Sequence, residues 1–117
     1  MENRPVLGLI EEIEVLGKDT QETVIARIDS GATASSIDIK LADKLELGPV
    51  TRTKIVKSAS GTKKRPIMKA IVKIGDQEIE EEFTLADRSH MTYPALIGQN
   101  ILKKGNFMID PNKGEEQ

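Results

Sequence analysis

Apolar and polar positions alternate along most of this chain, and turn-forming residues interrupt the alternation at short intervals. Val6-Leu7-Gly8-Leu9-Ile10, running into Glu11-Glu12-Ile13-Glu14-Val15, predicts a strand with partial alternation. Gly17-Lys18-Asp19 supplies a turn, and Thr23 to Ile28, rich in β-branched residues, predicts the returning strand. Ser35-Ser36-Ile37 predicts a short extended segment. Leu41 and Leu45, four apart, suit a helix of one or two turns from Ile39, with Asp38 placed to cap it and Gly48-Pro49 to end it. Val50 to Val56 and Pro66 to Ile74 predict two strands around the small, flexible Ser58-Ala59-Ser60-Gly61-Thr62. Gly75-Asp76-Gln77 turns the chain into Glu78 to Leu85, where Ile79, Phe83 and Leu85 share a face. Asp87 to Pro94 reads as a loop. Ala95-Leu96-Ile97-Gly98 reads as a short buried strand ended by glycine, followed by a helical turn presenting Ile101 and Leu102. Phe107-Met108-Ile109 predicts a last short strand, and residues 112–117 a frayed tail.

The pattern amounts to about seven or eight short strands and one or two small helices, with turn signals roughly every eight to twelve residues. An all-β closed barrel or sandwich follows, rather than a doubly wound sheet. The 117 residues fit a single domain, 1–117. With 3% aromatic residues the core must be built from Ile, Leu, Val, Ala and Met, and oligomerisation would help so small a chain bury it.

Composition narrows the function. A formal charge of −2 gives no general pull on nucleic acid, and Phe83, Tyr93 and Phe107 are too few for base stacking, so no nucleic-acid partner is expected. There is no cysteine, which removes thiol and disulfide chemistry. No apolar run approaches the roughly 20 residues of a membrane helix, and Met1-Glu2-Asn3-Arg4-Pro5 does not read as a signal peptide, so a soluble, cytoplasmic protein without a membrane partner is expected. Charge is unevenly spread. Thr51 to Lys73 holds Arg52, Lys54, Lys57, Lys63, Lys64, Arg65, Lys69 and Lys73 with no acidic residue, whereas Asp76 to Glu82 is acidic. Such runs are ordinary solvated strand faces or, in the sharper reading, arms that attract an acidic substrate.

The pointed chemistry lies at Asp29-Ser30-Gly31-Ala32, where the predicted strand Val24 to Ile28 delivers a carboxylate into a tight turn. The turn is an ordinary Asp-Ser-Gly loop or a catalytic carboxylate with room for a substrate backbone over Gly31 and Ala32. Taken with Ala95-Leu96-Ile97-Gly98-Gln99-Asn100-Ile101-Leu102 downstream, it resembles the retropepsin-like aspartic proteases, and among them a microbial single-domain group labelled ATP-dependent zinc proteases. The resemblance runs from about Val24 to Pro111.

That resemblance implies a small closed β-barrel of acid-protease type with one or two short helices, and an aspartic endopeptidase that acts as a homodimer on peptide or protein substrates. Asp29 would be the catalytic residue. The remaining aspartates, Asp19, Asp38, Asp43, Asp76, Asp87 and Asp110, sit in no equivalent turn, so one chain cannot build a carboxylate pair. Ser30 would hydrogen-bond across the two-fold axis, and Leu96, Ile97 and Gly98 would underlie the turn, although they also read as an ordinary core strand. Ser58, Ala59, Ser60, Gly61 and Thr62 would form a flap over substrate, or else a plain hairpin loop. Association of the resembled group with glutamate-ligating enzymes points to a glutamate-rich substrate. A catalytically inactive peptide-binding or dimerisation module on the same barrel is the alternative.

Two features depart from the family pattern. The viral enzymes pair an acidic residue after the aspartate turn with an arginine after the downstream glycine; here those positions are Thr33 and Gln99, consistent with a neutral hydrogen bond instead. The zinc label also lacks support: His90 is the one histidine, in a loop-like context, and there is no phosphate-cradling glycine loop, so neither metal nor other cofactor is expected.

Overall fold

The computed structural model describes residues 3–59 and 61–114. In chain order the elements are β1 (Val6–Leu7), β2 (Ile10–Leu16), β3 (Gln21–Ile28), β4 (Ser35–Asp38), α1 (Ile39–Lys44), β5 (Val50–Ser58), β6 (Gly61–Ile74), β7 (Gln77–Ala86), β8 (Ala95–Ile97), α2 (Gln99–Lys104) and β9 (Met108–Ile109). The expected all-β barrel with two short helices is the fold observed.

Strand order in the main sheet is β2-β3-β8-β4-β7-β6-β5, and β2 also pairs with β6 through Glu14↔Lys73, Val15↔Val72 and Leu16↔Ile71. That pairing closes β2, β3, β8, β4, β7 and β6 into a six-stranded barrel and leaves β5 outside it, paired with β6 alone. The central step is β8. It enters between β3, to which it runs parallel, and β4, to which it runs antiparallel. Two segments that follow one another in sequence are thus held apart by a third from far downstream.

Alternation along the strands fills the barrel. Ile13 and Val15, Ala26 and Ile28, Ile37, Val72 and Ile74, Ile79 and Phe83, and Ala95 and Ile97 are buried together, with Ile101, Leu102 and Leu45 from the helices closing the ends. Phe83 is the one large aromatic group among the fully buried side chains, so aliphatic packing carries this core as the composition requires.

Several local expectations are corrected. The first predicted strand divides after Leu7: Gly8 donates its N–H to Glu11 Oε2 (2.6 Å), and β1 leaves the barrel to pair in parallel with β9. Asp38 occupies the N-cap position of α1, but its side chain makes no cap bond; Oδ1 accepts the Arg88 N–H at 2.8 Å. Helix α1 also stops before Gly48. Glu46 takes φ of 55°, Glu46 N–H bonds Asp43 O and Leu47 N–H bonds Ala42 O, so a left-handed residue ends the helix. At the C-terminal end Lys113 is tied back, its Nζ donating to Val6 O and Glu11 Oε2, while residues 115–117 of the tail expected to fray lie outside the described residues. No helix among the described residues is long and apolar enough to cross a membrane.

Candidate active site

Strand β3 buries Ala26 and Ile28, so the strand period puts Arg27 and Asp29 on the opposite, outer face. At Asp29 the chain leaves the sheet. The Asp29 N–H donates to Ile97 O (2.9 Å), Ala32 N–H donates to Asp29 O (3.2 Å), and Gly31 N–H donates to Asp29 Oδ1 (2.9 Å). The carboxylate is therefore oriented by its own turn. A Cβ on Gly31 would lie 3.2 Å from Asp29 Oδ1, so the glycine keeps that oxygen uncrowded. Asp29 and Ala32 are half-buried, and Ser30, Gly31, Thr33 and Ala34 are exposed.

The turn is held from α2. Gln99 N–H donates to Ala32 O (2.8 Å), Asn100 N–H to Thr33 O (3.3 Å), and Gln99 Nε2 to Ser30 O (2.8 Å). Two N–H groups that the helix start leaves without intrahelical partners thus serve the aspartate turn. The neutral bond expected between Thr33 and Gln99 takes another form: the Gln99 side chain reaches Ser30, and Thr33 contributes its backbone to Asn100.

Beneath the turn, Ile97 is fully buried and supplies the carbonyl that fixes Asp29, whereas Leu96 stands half-buried on the outer face opposite Arg27 and Ser36. Gly98 N–H donates to Ser35 Oγ (2.9 Å), and that hydroxyl donates to Asn100 Oδ1 (2.7 Å). Asn100 also accepts the Ile101 N–H and donates Nδ2 to Glu82 O. Among the described residues no buried side-chain nitrogen or oxygen lacks a hydrogen-bond partner.

The hairpin β5–β6 forms the predicted arm. Its register pairs Ser58 with Gly61, and Ala59, Gly61 and Thr62 lie exposed at its tip; Ser60 lies outside the described residues. Gly61 has φ of 123°, a conformation that glycine alone adopts without strain. Arg52, Lys54 and Ile67 from the arm, with Thr33, Ala34 and Glu82, border a cleft of about 330 Å³ beside the aspartate turn. Arg52 pairs bidentately with Glu82, Nη2 to Oε1 at 2.7 Å and Nε to Oε2 at 3.3 Å. That hydrogen bond, with the charge of Arg52, holds the Glu82 carboxyl below its ordinary value.

A second cavity borders Arg27, Leu96 and the loop after β7. Arg88, 9% exposed, is built into that loop: Nε donates to Tyr93 O (2.9 Å) and Nη1 to Ser36 Oγ (3.0 Å). Burial lowers its pKa and Asp38 works against that shift. Asp87 in the same loop is held below the ordinary carboxylate value chiefly by the Ser89 hydroxyl, at 2.6 Å, and next by the Ser89 N–H. Among the described residues no group of three or more His, Cys, Asp or Glu side chains is gathered as a metal ion would require.

Asp29, Ser30, Gly31, Ala32, Ile97 and Gly98 thus come together, and Leu96 joins the outer face nearby. Sequence reasoning missed Ser35, Asn100, Arg27 and Arg88. A signal existed for Ser35, which is two residues before Ile37 and so shares its inward face.

A family model described as RimB-like, retropepsin-like aspartic endopeptidase RimB, matches residues 40–117. The match begins after the aspartate turn, so it is independent of Asp29. No curated protein matches. Among solved structures, the Legionella pneumophila protein Lpg0085, of unknown function, is similar at TM-score 0.65 and 21% identity over 94% of this chain and 95% of that one. Simian foamy virus (mac) protease is similar at TM-score 0.62 and 20% identity over 80% and 91%. The EIAV protease in complex with the inhibitor HBY-793 is similar at TM-score 0.65 and 17% identity over 94% and 95%. At these identities the structural likenesses speak for the fold.

Proposed function

This chain belongs to the RimB-like family of retropepsin-like aspartic endopeptidases, and on that footing we propose that it cuts peptide bonds as a homodimer, with one water held between the Asp29 carboxylates of two copies. The observation that carries the proposal is the oriented carboxylate on an exposed turn: Asp29 is fixed by Gly31 N–H and Ile97 O, yet Ser30, Gly31, Thr33 and Ala34 around it are uncovered. One chain contributes one such turn, so a two-fold copy supplies the second carboxylate.

Two carboxylates sharing one site cannot both ionise, and the pair titrates as a unit with one proton. The ionised member takes a proton from water as the water oxygen bonds to the scissile carbonyl carbon. The protonated member donates to the carbonyl oxygen, and a proton then passes to the leaving amine as the C–N bond breaks. The arm β5–β6, with Ala59, Gly61 and Thr62 at its tip, serves as the lid over an extended substrate. Its eight basic residues between Thr51 and Lys73, with Arg52 and Lys54 at the cleft, favour an acidic peptide or protein substrate.

The test is a peptidase assay from acid to neutral pH on acidic and neutral peptides, at low and high salt, with Asp29→Asn alongside. Cleavage is expected to vanish in Asp29→Asn, to fall per protomer on dilution, and to favour acidic peptides most at low salt. Cleavage that survives Asp29→Asn rejects the assignment of Asp29. A dimer that binds peptides but never cuts them would be the non-catalytic module instead. Equal rates on both peptides without a salt effect remove the acidic substrate alone.

A further inference from the structure

The arm β5–β6 carries positive charge on both of its faces. Cross-strand partners in a hairpin project from one face, and neighbours along a strand alternate between faces. The register therefore sets Lys54 directly opposite Arg65, with Lys63 two residues from Arg65, all on the face that Arg52 and Ile67 present to the cleft. Lys57 and Lys64 project from the opposite face, diagonal to each other across the strands. Lys54, Lys57, Lys63 and Lys64 are exposed, and Arg65 is half-buried. Among the described residues none of these side chains makes an ion pair or a hydrogen bond, whereas Arg52 is taken up by Glu82.

A like-charged pair held directly across two strands weakens a hairpin, and no acidic residue occurs between Glu46 and Asp76 to offset it. The chain total of −2 conceals this, because acid and base are segregated along the sequence. A substrate in the cleft meets one face of the arm, so Lys57 and Lys64 on the other face find no counter-charge there. Residues 50–67 include no aromatic residue. Protein interfaces favour aromatic side chains and disfavour lysine, and a single nucleic-acid strand is held by stacking its bases on aromatic rings. Neither partner suits this arm, but a groove walled on both sides by phosphates does. Two strands roughly 5 Å apart make a ribbon that enters the major groove of B-form DNA, about 12 Å wide. The major groove of duplex RNA is too deep and narrow for side chains to read.

We infer that the β5–β6 arm is a docking element for duplex DNA, held through phosphates without regard to sequence. Lys57 and Lys64 meet one wall of the groove, and Lys54, Lys63 and Arg65 meet the other. The inference stands apart from the peptidase reading: the contacts are ionic and do not involve Asp29.

The experiment titrates the full chain into a short labelled DNA duplex and follows fluorescence anisotropy. Five phosphate contacts predict a slope of log K against log salt of about −4 to −5, a fall in affinity of about 500-fold between about 50 and 200 mM salt. The double variant Lys57→Gln/Lys64→Gln should flatten that slope by about 2. Lys40→Gln/Lys103→Gln removes the same charge from exposed positions on α1 and α2 and should leave the slope as in wild type. Asp29→Asn should bind as wild type does, whether or not the wild type cuts peptides. No binding at the lower salt overturns the inference, as does an equal flattening in the two double variants. Polyaspartate bound as tightly as the duplex would make the arm a site for acidic protein and overturn it. Tighter binding of single-stranded DNA or of duplex RNA would overturn the groove.

Discussion

The Ser35 hydroxyl donates to Asn100 Oδ1 across 2.7 Å while accepting the N–H of Gly98, so a strand residue and a helix residue 65 positions apart lock the chain beneath the Asp29 turn. Ser35 has no exposed surface. Ser35→Ala would leave the Gly98 N–H buried without a partner, at a cost of about 1–3 kcal/mol. Asn100→Ala would remove the acceptor of the hydroxyl and the donor to Glu82 O together. The two residues share a network, so the double variant is expected to be less destabilised than the sum of the single variants. Urea unfolding of all four proteins checks this; strict additivity would mean that the two groups are not coupled.

Gly98→Ala should be worse than either. A Cβ there would collide with the Ala34 carbonyl, 2.7 Å from its carbon, and would stand 2.8 Å from Ala32 O. Both are backbone atoms of the aspartate turn, and neither can swing aside as a side-chain tip would. The expected loss is about 3 kcal/mol or more, read as a fall in the urea midpoint, with displaced amide resonances at Asp29 and Ala32 in any protein that still folds.

The strands and the aspartate turn were legible because their signals are local. The β-branched run before Asp29, the glycine turn at Gly75 and the glycine after Ile97 each act on immediate neighbours. The order of strands was not legible, because the insertion of β8 between β3 and β4 is a long-range event with no local mark. The same holds for side chains whose roles depend on that insertion. Asp38 looked like a helix cap and became the acceptor of an N–H 50 residues away. Arg27 forms part of a cavity only once Leu96 and Arg88 come together beside it. Asn100 becomes a hydrogen-bonding hub only in the closed barrel, where it meets Ser35 Oγ and Glu82 O.

Gly61 and Gly75 stand at opposite ends of β6, both with positive φ (123° and 59°) and both with open space where a Cβ would go. The cost of alanine is therefore one of backbone conformation in each case. Gly75→Ala should cost about 1 kcal/mol of stability with turnover unaffected, because the β6–β7 turn takes no part in the site. Gly61→Ala falls at the exposed tip of the arm, outside the core, so the global unfolding midpoint should move little. Turnover should fall instead, as the tip loses the conformation that pairs Gly61 with Ser58. Thermal melts and peptide turnover on both variants separate the two effects; equal turnover in Gly61→Ala and wild type would exclude the tip as a lid.

Arg52 and Glu82 set a last test, in which pH acts on the cleft itself. Glu82 is held below its ordinary value first by the Arg52 hydrogen bond. A carboxyl depressed on folding contributes stability that is in place above its unfolded value and is lost as pH falls through the folded value. Above the ordinary glutamate range the pair is closed, and Arg52 at the cleft is occupied by the protein's own carboxylate. Glu82→Gln should release Arg52 at every pH and lower KM for acidic peptides relative to wild type. Arg52→Gln should raise the Glu82 pKa toward its ordinary value, observable by carbon-13 titration of the Glu82 carboxyl. Arg52 is exposed and Glu82 half-buried at the surface, where solvent screens the pair, so neither variant should shift global stability appreciably at neutral pH. An unchanged KM in Glu82→Gln would show that Glu82 does not compete with substrate for Arg52, leaving Lys54 as the cationic group at that cleft which meets it.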